Sequence, residues 1–256
     1  MAKQRLRSRA VFRTDQMPFY ADADYWEADI EAVVKWNHEY ATYRVANELI
    51  CGEIARYLRL PIPDFTISFS DQHIESKPLF SSLNFNYDRA TFFKVEPEYL
   101  VKQLPRVATG ILLFDILVAN RDRHDKNLIV DNVVSPRQVR IWDHDQALFG
   151  IPGDVETLYN LRDHLGITGD NISGGNRHCM LNAFQTLIHS DEWLYRIWNI
   201  PRWFIHDVCK AAVRLGLKRT EATAAKEFLV HRKNELSSII GRHRHEFRGI
   251  KTWTTI

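Results

Sequence analysis

The hydrophobic pattern of the chain changes period several times, and each change predicts an element. Over residues 11–36, aromatic and β-branched residues among turn formers predict short strands. The clearest is IEAVVKW, Ile30–Trp36, which ends in Lys35 and Trp36. Ala46, Leu49, Ile50, Ile54, Tyr57 and Leu58 then recur at helical spacing. They predict a helix over Glu39–Leu58, which Pro61 and Pro63 bar from continuing. FTISF, Phe65–Phe69, predicts a strand, and Lys77–Phe85 a weaker one. From Pro97 to Ala119 the pattern is helical with a break at Pro105. Glycines and polar residues after Gly150 predict an exposed loop reaching Cys179. Helices follow over Met180–His189, Asp191–Asn199, Pro201–Leu215 and Thr220–Arg242, with Asp191 as an N-cap and Pro201 in a first turn. Strands gather in the first part and helices in the second, so the class is α+β.

The chemistry is concentrated between Gly110 and Gly150. An apolar run, Ile111–Ala119, enters a polar knot, Asn120–Asn127. The chain leaves it through a short strand, Leu128–Val130, a loop of Asp, Asn, Ser and Pro, and the apolar pair Val139 and Ile141 before Asp143. Asp122 and Asn127 are five apart in one loop, and a closed hairpin would return Asp143 beside them. Phosphoryl transfer needs an acid group at the attacking hydroxyl and hard oxygen ligands for magnesium. Asp122 suits the first need, and Asn127 and Asp143 suit the second, in the order of the protein-kinase catalytic loop and its following acid. Asp145 competes with Asp143, because it would share its strand face if the strand continued.

NRDRHDKNLIV followed by IWDHD resembles the catalytic core of HipA-like kinases, and of the related phosphatidylinositol kinases whose loop reads D-R-H-x-x-N. NELICGEIARYLRLPIPDF is similar to the signature helix and proline turn of the HipA-like family, so the resemblance spans residues from about 30 to 150. It implies a two-lobed kinase-like fold, with a β-rich lobe over 1–82 and a mainly helical lobe over 83–256. It implies ATP and magnesium as cofactors, a Ser/Thr hydroxyl of a protein as acceptor, and an antitoxin-like regulatory partner. By the same resemblance Asp122 and His124 are catalytic, with a loop-bracing His124 as the alternative, Asn127 and Asp143 hold magnesium, and Lys35 with Glu48 holds the nucleotide phosphates. Periodicity alone points elsewhere for the lysine's partner. Glu53 lies inside the apolar stripe and Glu48 opposite it, so Glu53 is favoured if the stripe faces the sheet. The Asn-Glu pair of the family helix selects Glu48, on the expectation that this helix buries two faces.

Other readings stay in view. The acceptor could be a lipid or small molecule. No glycine precedes Gly52 and no serine lies between Ser8 and Ser68, so neither a Gly-rich nor a serine-bearing phosphate loop precedes Lys35. That keeps open a pseudokinase that binds nucleotide or a partner, or a hairpin cover over Thr14–Asp24 that acts through backbone N–H groups. The His-Asp pairs 124–125 and 144–145 evoke metal-dependent phosphohydrolases, but those carry such pairs on helices. Arg123 is expected in an internal ion pair. Lys126 and the basic run Arg242–His245 are expected to be solvated. A net charge of +2 argues against nucleic acid as a partner. No apolar run approaches a membrane span, and the N-terminus has no apolar core of a signal peptide. Three well-separated cysteines, Cys51, Cys179 and Cys209, point to a reducing, cytoplasmic setting.

Overall fold

A computed structural model describes residues 32–69, 77–84, 92–167, 178–251 and 253. Expectations for Thr14–Asp24 and for the start of the first strand lie outside these residues. The β-branched stretch Ala32–Trp36 forms β1, and Phe65–Phe69 forms β2. Both pair antiparallel with Pro78–Leu83, β3, which is the central strand of the sheet. Lys35 stands opposite Phe80 in this register.

Between β1 and β2 runs α1, Arg44–Tyr57. It begins five residues later than the periodicity predicts. His38 and Ala41 close a turn first, and the Asn37 side chain then accepts from Val45 N at 2.9 Å, which caps the helix from outside. Val45, Asn47, Glu48, Leu49, Cys51 and Gly52 are all buried, so the helix has no solvent face over its central turns. It is wedged between the sheet and the helices that follow.

The second sheet, β4 (Phe93–Lys94), β5 (Leu128–Val130) and β6 (Val139–Ile141), is also antiparallel. It is joined to the proline turn after α1, where Ile141 N donates to Pro61 O at 3.0 Å. Helices α2 (Pro97–Gln103) and α3 (Pro105–Val118) split at Pro105, as predicted. α3 is buried along its length from Ala108 onward and forms the axis of the core. Gly110 lets α5 (Ser190–Trp198) approach it, since a Cβ there would stand 2.3 Å from the Trp193 ring.

Four expectations for the chain after Gly150 are corrected. Met180–His189 is a series of turns and bends, with Met180, Leu181 and Phe184 buried as irregular core. Asp191 sits inside the first turn of α5, with His189 at the cap, and Pro201 caps α6 (Arg202–Ala212) rather than joining its first turn. The stretch after Gly150 contains a helix, α4 (Val155–Leu161), begun by Asp154, which accepts from Thr157 N at 2.7 Å.

The long α7, Arg219–Arg242, packs against α3, α4, α5 and α6. Its fully buried Arg232 donates to carbonyl oxygens of Leu117 at 3.1 Å, His164 at 2.6 Å and Leu165 at 2.9 Å. A guanidinium suits this place because the C-terminal carbonyls of α3 lack helical partners. It fastens the point at which α3 passes into the polar loop. No helix among the described residues is long and apolar enough to cross a membrane.

Candidate active site

α3 ends on Ala119, whose φ of 52° is left-handed, and this turn aims Asn120–Asn127 across the end of the second sheet. The loop is braced from within. Asn120 Oδ1 accepts from Asp122 N at 3.2 Å, and Asn127 Nδ2 donates to Asp122 O at 3.3 Å. The second bond turns the Asn127 carbonyl oxygen away from Asp122, which leaves a hard oxygen donor at the loop's end.

Beneath the loop lies a buried cluster that the sequence did not single out. Arg123 donates to both oxygens of Asp115, Nε to Oδ2 at 2.8 Å and Nη2 to Oδ1 at 3.1 Å. Asn120 Nδ2 donates to the same Oδ1 at 2.9 Å, and His178 Nε2 lies 3.0 Å from Oδ2. Met180 N donates to His178 Nδ1, so the ring proton sits on Nε2 and points at Asp115. Burial alone would raise the Asp115 pKa, but Arg123 and His178 outweigh it and hold the carboxyl well below its usual range. The expected internal ion pair of Arg123 is therefore this one. A lone acid in the apolar run Ile111–Val118 was the available signal for Asp115, since a buried charge demands a partner.

Arg123 also reaches toward Asp143. Its Nη1 donates to Trp142 O at 2.6 Å, and its Nη2 to His144 Nε2 at 2.9 Å. That bond leaves the His144 proton on Nδ1, 3.6 Å from Glu48 Oε2, while His144 N donates to Glu48 Oε1 at 3.1 Å. Glu48 in turn meets the ammonium of Lys35. Lys35 Nζ donates to Asp143 Oδ1 at 2.5 Å and lies 3.8 Å from Asp145 Oδ2. One unbroken chain of polar contacts thus runs from Asp115 to Asp143.

Two electrostatic consequences follow. Burial would raise Glu48, but Lys35 and His144 hold it below the usual carboxylate range. Burial would lower Lys35, but the three carboxylates hold it above the usual ammonium range. Both therefore stay charged.

β6 ends at Ile141, so Asp143 and Asp145 do not share a strand face. Asp143 adopts a left-handed φ of 68°, a conformation that Asp tolerates better than most residues, and turns toward Lys35. Asp145 instead pairs with Arg44 Nε at 3.0 Å, and its backbone oxygen accepts from Asn47 Nδ2 at 2.8 Å. Burial, with Asp143 and Glu48 nearby, pushes the Asp145 pKa up to about 6 against the pull of Lys35 and Arg44. Glu53 lies elsewhere and pairs with Arg56 at 2.9 Å. His124 Nε2 is 3.9 Å from Asp122 Oδ2, too far for a hydrogen bond.

Lys35, Glu48, Asp143 and His144 line a cleft of about 600 Å³ between the two sheets. Val33, Ile62, Phe80, Phe92 and Ile141 give it apolar walls, and Lys94 and Lys126 stand at its side. Lys126 is exposed, as expected, and stands at the rim of this cleft. The size and the apolar lining with a few convergent charges suit a small-molecule site. A larger cavity of about 800 Å³ between α4, α6 and α7 carries none of the loop or hairpin residues.

Residues 26–151 match the family model described as HipA-like kinase. A comparison with curated proteins found no match. Among solved structures, the Helicobacter pylori proinflammatory kinase CtkA is similar with a TM-score of 0.52 at 15% identity, over 85% of this chain and 90% of that one. A chain of the Shewanella oneidensis MR-1 toxin–antitoxin complex of HipA, HipB and operator DNA gives 0.45 at 13% identity, over 86% of this chain and 61% of that one. The likeness to CtkA is one of fold, and with it the α+β architecture is that of a two-lobed kinase. Residues 26–151, which hold Lys35, Glu48, Asp122, Asn127 and Asp143, are thus similar to the HipA-like kinases.

Proposed function

We propose that this kinase-type phosphotransferase uses ATP and magnesium to phosphorylate a Ser or Thr hydroxyl of a protein. The observation that carries the reading is the continuous polar path from the Asp122 loop to Lys35 and Asp143 at the wall of the cleft. The residues fit both ligands. The apolar cleft walls match an adenine-sized ring, and Lys35, Lys94 and Lys126 supply positive charge for phosphates. The Asn127 carbonyl oxygen and the Asp143 carboxylate are the hard donors that would hold magnesium. Magnesium, when bound, neutralises charge on the phosphates.

In this reading Glu48 holds Lys35 against the nucleotide phosphates. Asp122 orients the acceptor hydroxyl and takes its proton on a carboxylate oxygen, and His124 assists beside it. The division into lobes over 1–82 and 83–256 is supported by the end of the first sheet at Leu83 and the start of the second at Phe93. The free cysteines support a cytoplasmic setting, and an antitoxin-like partner follows from the family alone.

The test is transfer from labelled ATP with magnesium, to the chain itself or to casein, beside thermal unfolding with nucleotide. ATP with magnesium at about 100 times its dissociation constant should stabilise the fold by roughly 2.7 kcal/mol. Asp122→Asn should slow transfer by about 10²- to 10⁴-fold while keeping that stabilisation. Asp143→Asn should lose the magnesium-dependent part of it. Absence of any nucleotide effect on unfolding would remove the kinase reading.

A further inference from the structure

We infer that Gln146 is a positioning residue for this reaction: its side-chain amide fixes the Asp122 carboxylate and sets where it stands relative to Asp143. The inference rests on the role proposed above for Asp122. Gln146 follows Asp143 by three residues, in the turn between β6 and α4, and lies outside the motifs of the loop and hairpin. Its Nε2 donates to Asp122 Oδ2 at 2.8 Å. An ionised carboxylate only accepts, so the amide must present its nitrogen here. Among the described residues, no other side chain comes within hydrogen-bond distance of the Asp122 carboxylate; His124 stays at 3.9 Å.

The contact is anchored at both ends. Arg121, the neighbour of Asp122, donates from Nη2 to Gln146 O at 3.4 Å. It lies over Gly150, where φ is 78° and a Cβ would stand 1.8 Å from Nη2. The turn that carries Gln146 is held independently, by Ala147 N to His144 O at 3.0 Å and Leu148 N to Val118 O at 2.9 Å. Gln146 is therefore a strut, gripped along its backbone by one loop residue and gripping the next through its side chain.

The chemistry suits a proton acceptor. With Oδ2 engaged, Oδ1 is the oxygen left for the acceptor hydroxyl. A neutral amide orients the carboxylate without cancelling the charge that draws the proton, which a lysine in its place would do. The same strut carries position from Asp143 to Asp122, so the acid is placed relative to the metal ligand and not only relative to its own loop. A displacement of about 1 Å at such a group costs on the order of 10²-fold in rate.

The test compares Gln146→Glu, which keeps the size and loses the donor, with Gln146→Ala. Each is made in the full chain, alone and combined with Asp122→Asn, and assayed for transfer from labelled ATP to casein. Both single variants should lower kcat by about ten- to a hundredfold, with KM for ATP within about threefold. Their magnesium–ATP shift in unfolding temperature should match that of the parent. In the Asp122→Asn background neither should lower the residual rate further, because Gln146 acts through Asp122. A side chain that merely braced the turn would tolerate Gln146→Glu, and its effect would multiply with that of Asp122→Asn. Parental kcat in Gln146→Glu, or multiplying losses, overturns the inference and leaves the kinase reading intact. Equal transfer by the parent and Asp122→Asn, or none by either, overturns that reading and the inference with it.

Discussion

Two charge clusters meet at His144, and they are built on opposite terms. On one side a single carboxylate, Asp115, faces Arg123, His178 and Asn120, and all four residues are buried. On the other, three carboxylates, Glu48, Asp143 and Asp145, face two cations, Lys35 and Arg44, and Asp143 keeps 30% of its side-chain surface open. The first cluster is complete: the donors around Asp115 use both of its oxygens, and its charge is answered where it lies. The second is left with one negative charge more than it can pair. A closed cluster holds a shape, whereas an open one with surplus negative charge has use for a further cation. The difference separates a closed scaffold from a cluster open to a further cation, although the same residue types make both.

Breaking the closed cluster should have the largest effect on stability. Asp115→Asn leaves the Arg123 guanidinium buried without its carboxylate, and such a loss costs about 3–5 kcal/mol. At roughly 2–4 °C per kcal/mol for a chain of this size, calorimetry should find a fall of about 6–20 °C. Asp143→Asn, in the open cluster, should move the unfolding temperature far less. Equal stability of Asp115→Asn and the parent would end the scaffold reading.

One acid from each cluster, Asp115 and Asp145, should also respond to pH with opposite sign. Asp115 titrates below its unfolded value, so its contribution is present above the usual carboxylate range and is lost as pH falls through it. Asp145 titrates above its unfolded value, up to about 6. Between the ordinary carboxylate range and that value the folded chain binds more protons than the unfolded one. Stability from this group is therefore present at the acid end and declines as pH rises to about 6. The full change is up to about 3 kcal/mol, at 1.36 kcal/mol per unit. Denaturant titrations of metal-free protein should show a shallower decline over this window in Asp145→Asn. An unchanged slope would place the surplus charge elsewhere.

The open cluster was more legible in the sequence than the closed one, and the reason is range. Asp143 and Asp145 follow a short hairpin directly, and Glu48 lies on the helix after the strand of Lys35, so local spacing was enough to single them out. Asp115 was visible only as an acid in an apolar run, and His178 joins it from 63 residues away, a distance over which no periodicity acts. Gln146 carried no signal at all, because its partner is set by the turn after Asp143. Among the elements, strands and long amphipathic helices were read well. The error at Met180–His189 has a physical cause: a short apolar stretch fills the core equally well as turns. α4 was missed because glycines and polar residues on both sides of it outweighed seven helical residues.

The finest test of the open cluster is the identity of the lysine's partner. Periodicity favoured Glu53, because the apolar stripe of α1 includes it. That argument assumes a helix with one buried face, and α1 is buried on both. Glu48, on the side away from the stripe, faces Lys35 and accepts from His144 N, whereas Glu53 spends its carboxylate on Arg56 three residues on. A double-mutant cycle on ATP affinity and transfer rate measures the consequence. Lys35→Met and Glu48→Gln should couple by roughly 0.5–3 kcal/mol, as groups in contact do. Lys35→Met and Glu53→Gln should add within about 0.3–0.5 kcal/mol, and Glu53→Gln alone should cost no more than a helix surface pair, about 0.3–0.5 kcal/mol. Coupling to Glu53 with none to Glu48 would mean that the contact between Lys35 and Glu48 is not the one that holds the nucleotide, and that α1 must turn before the site can work.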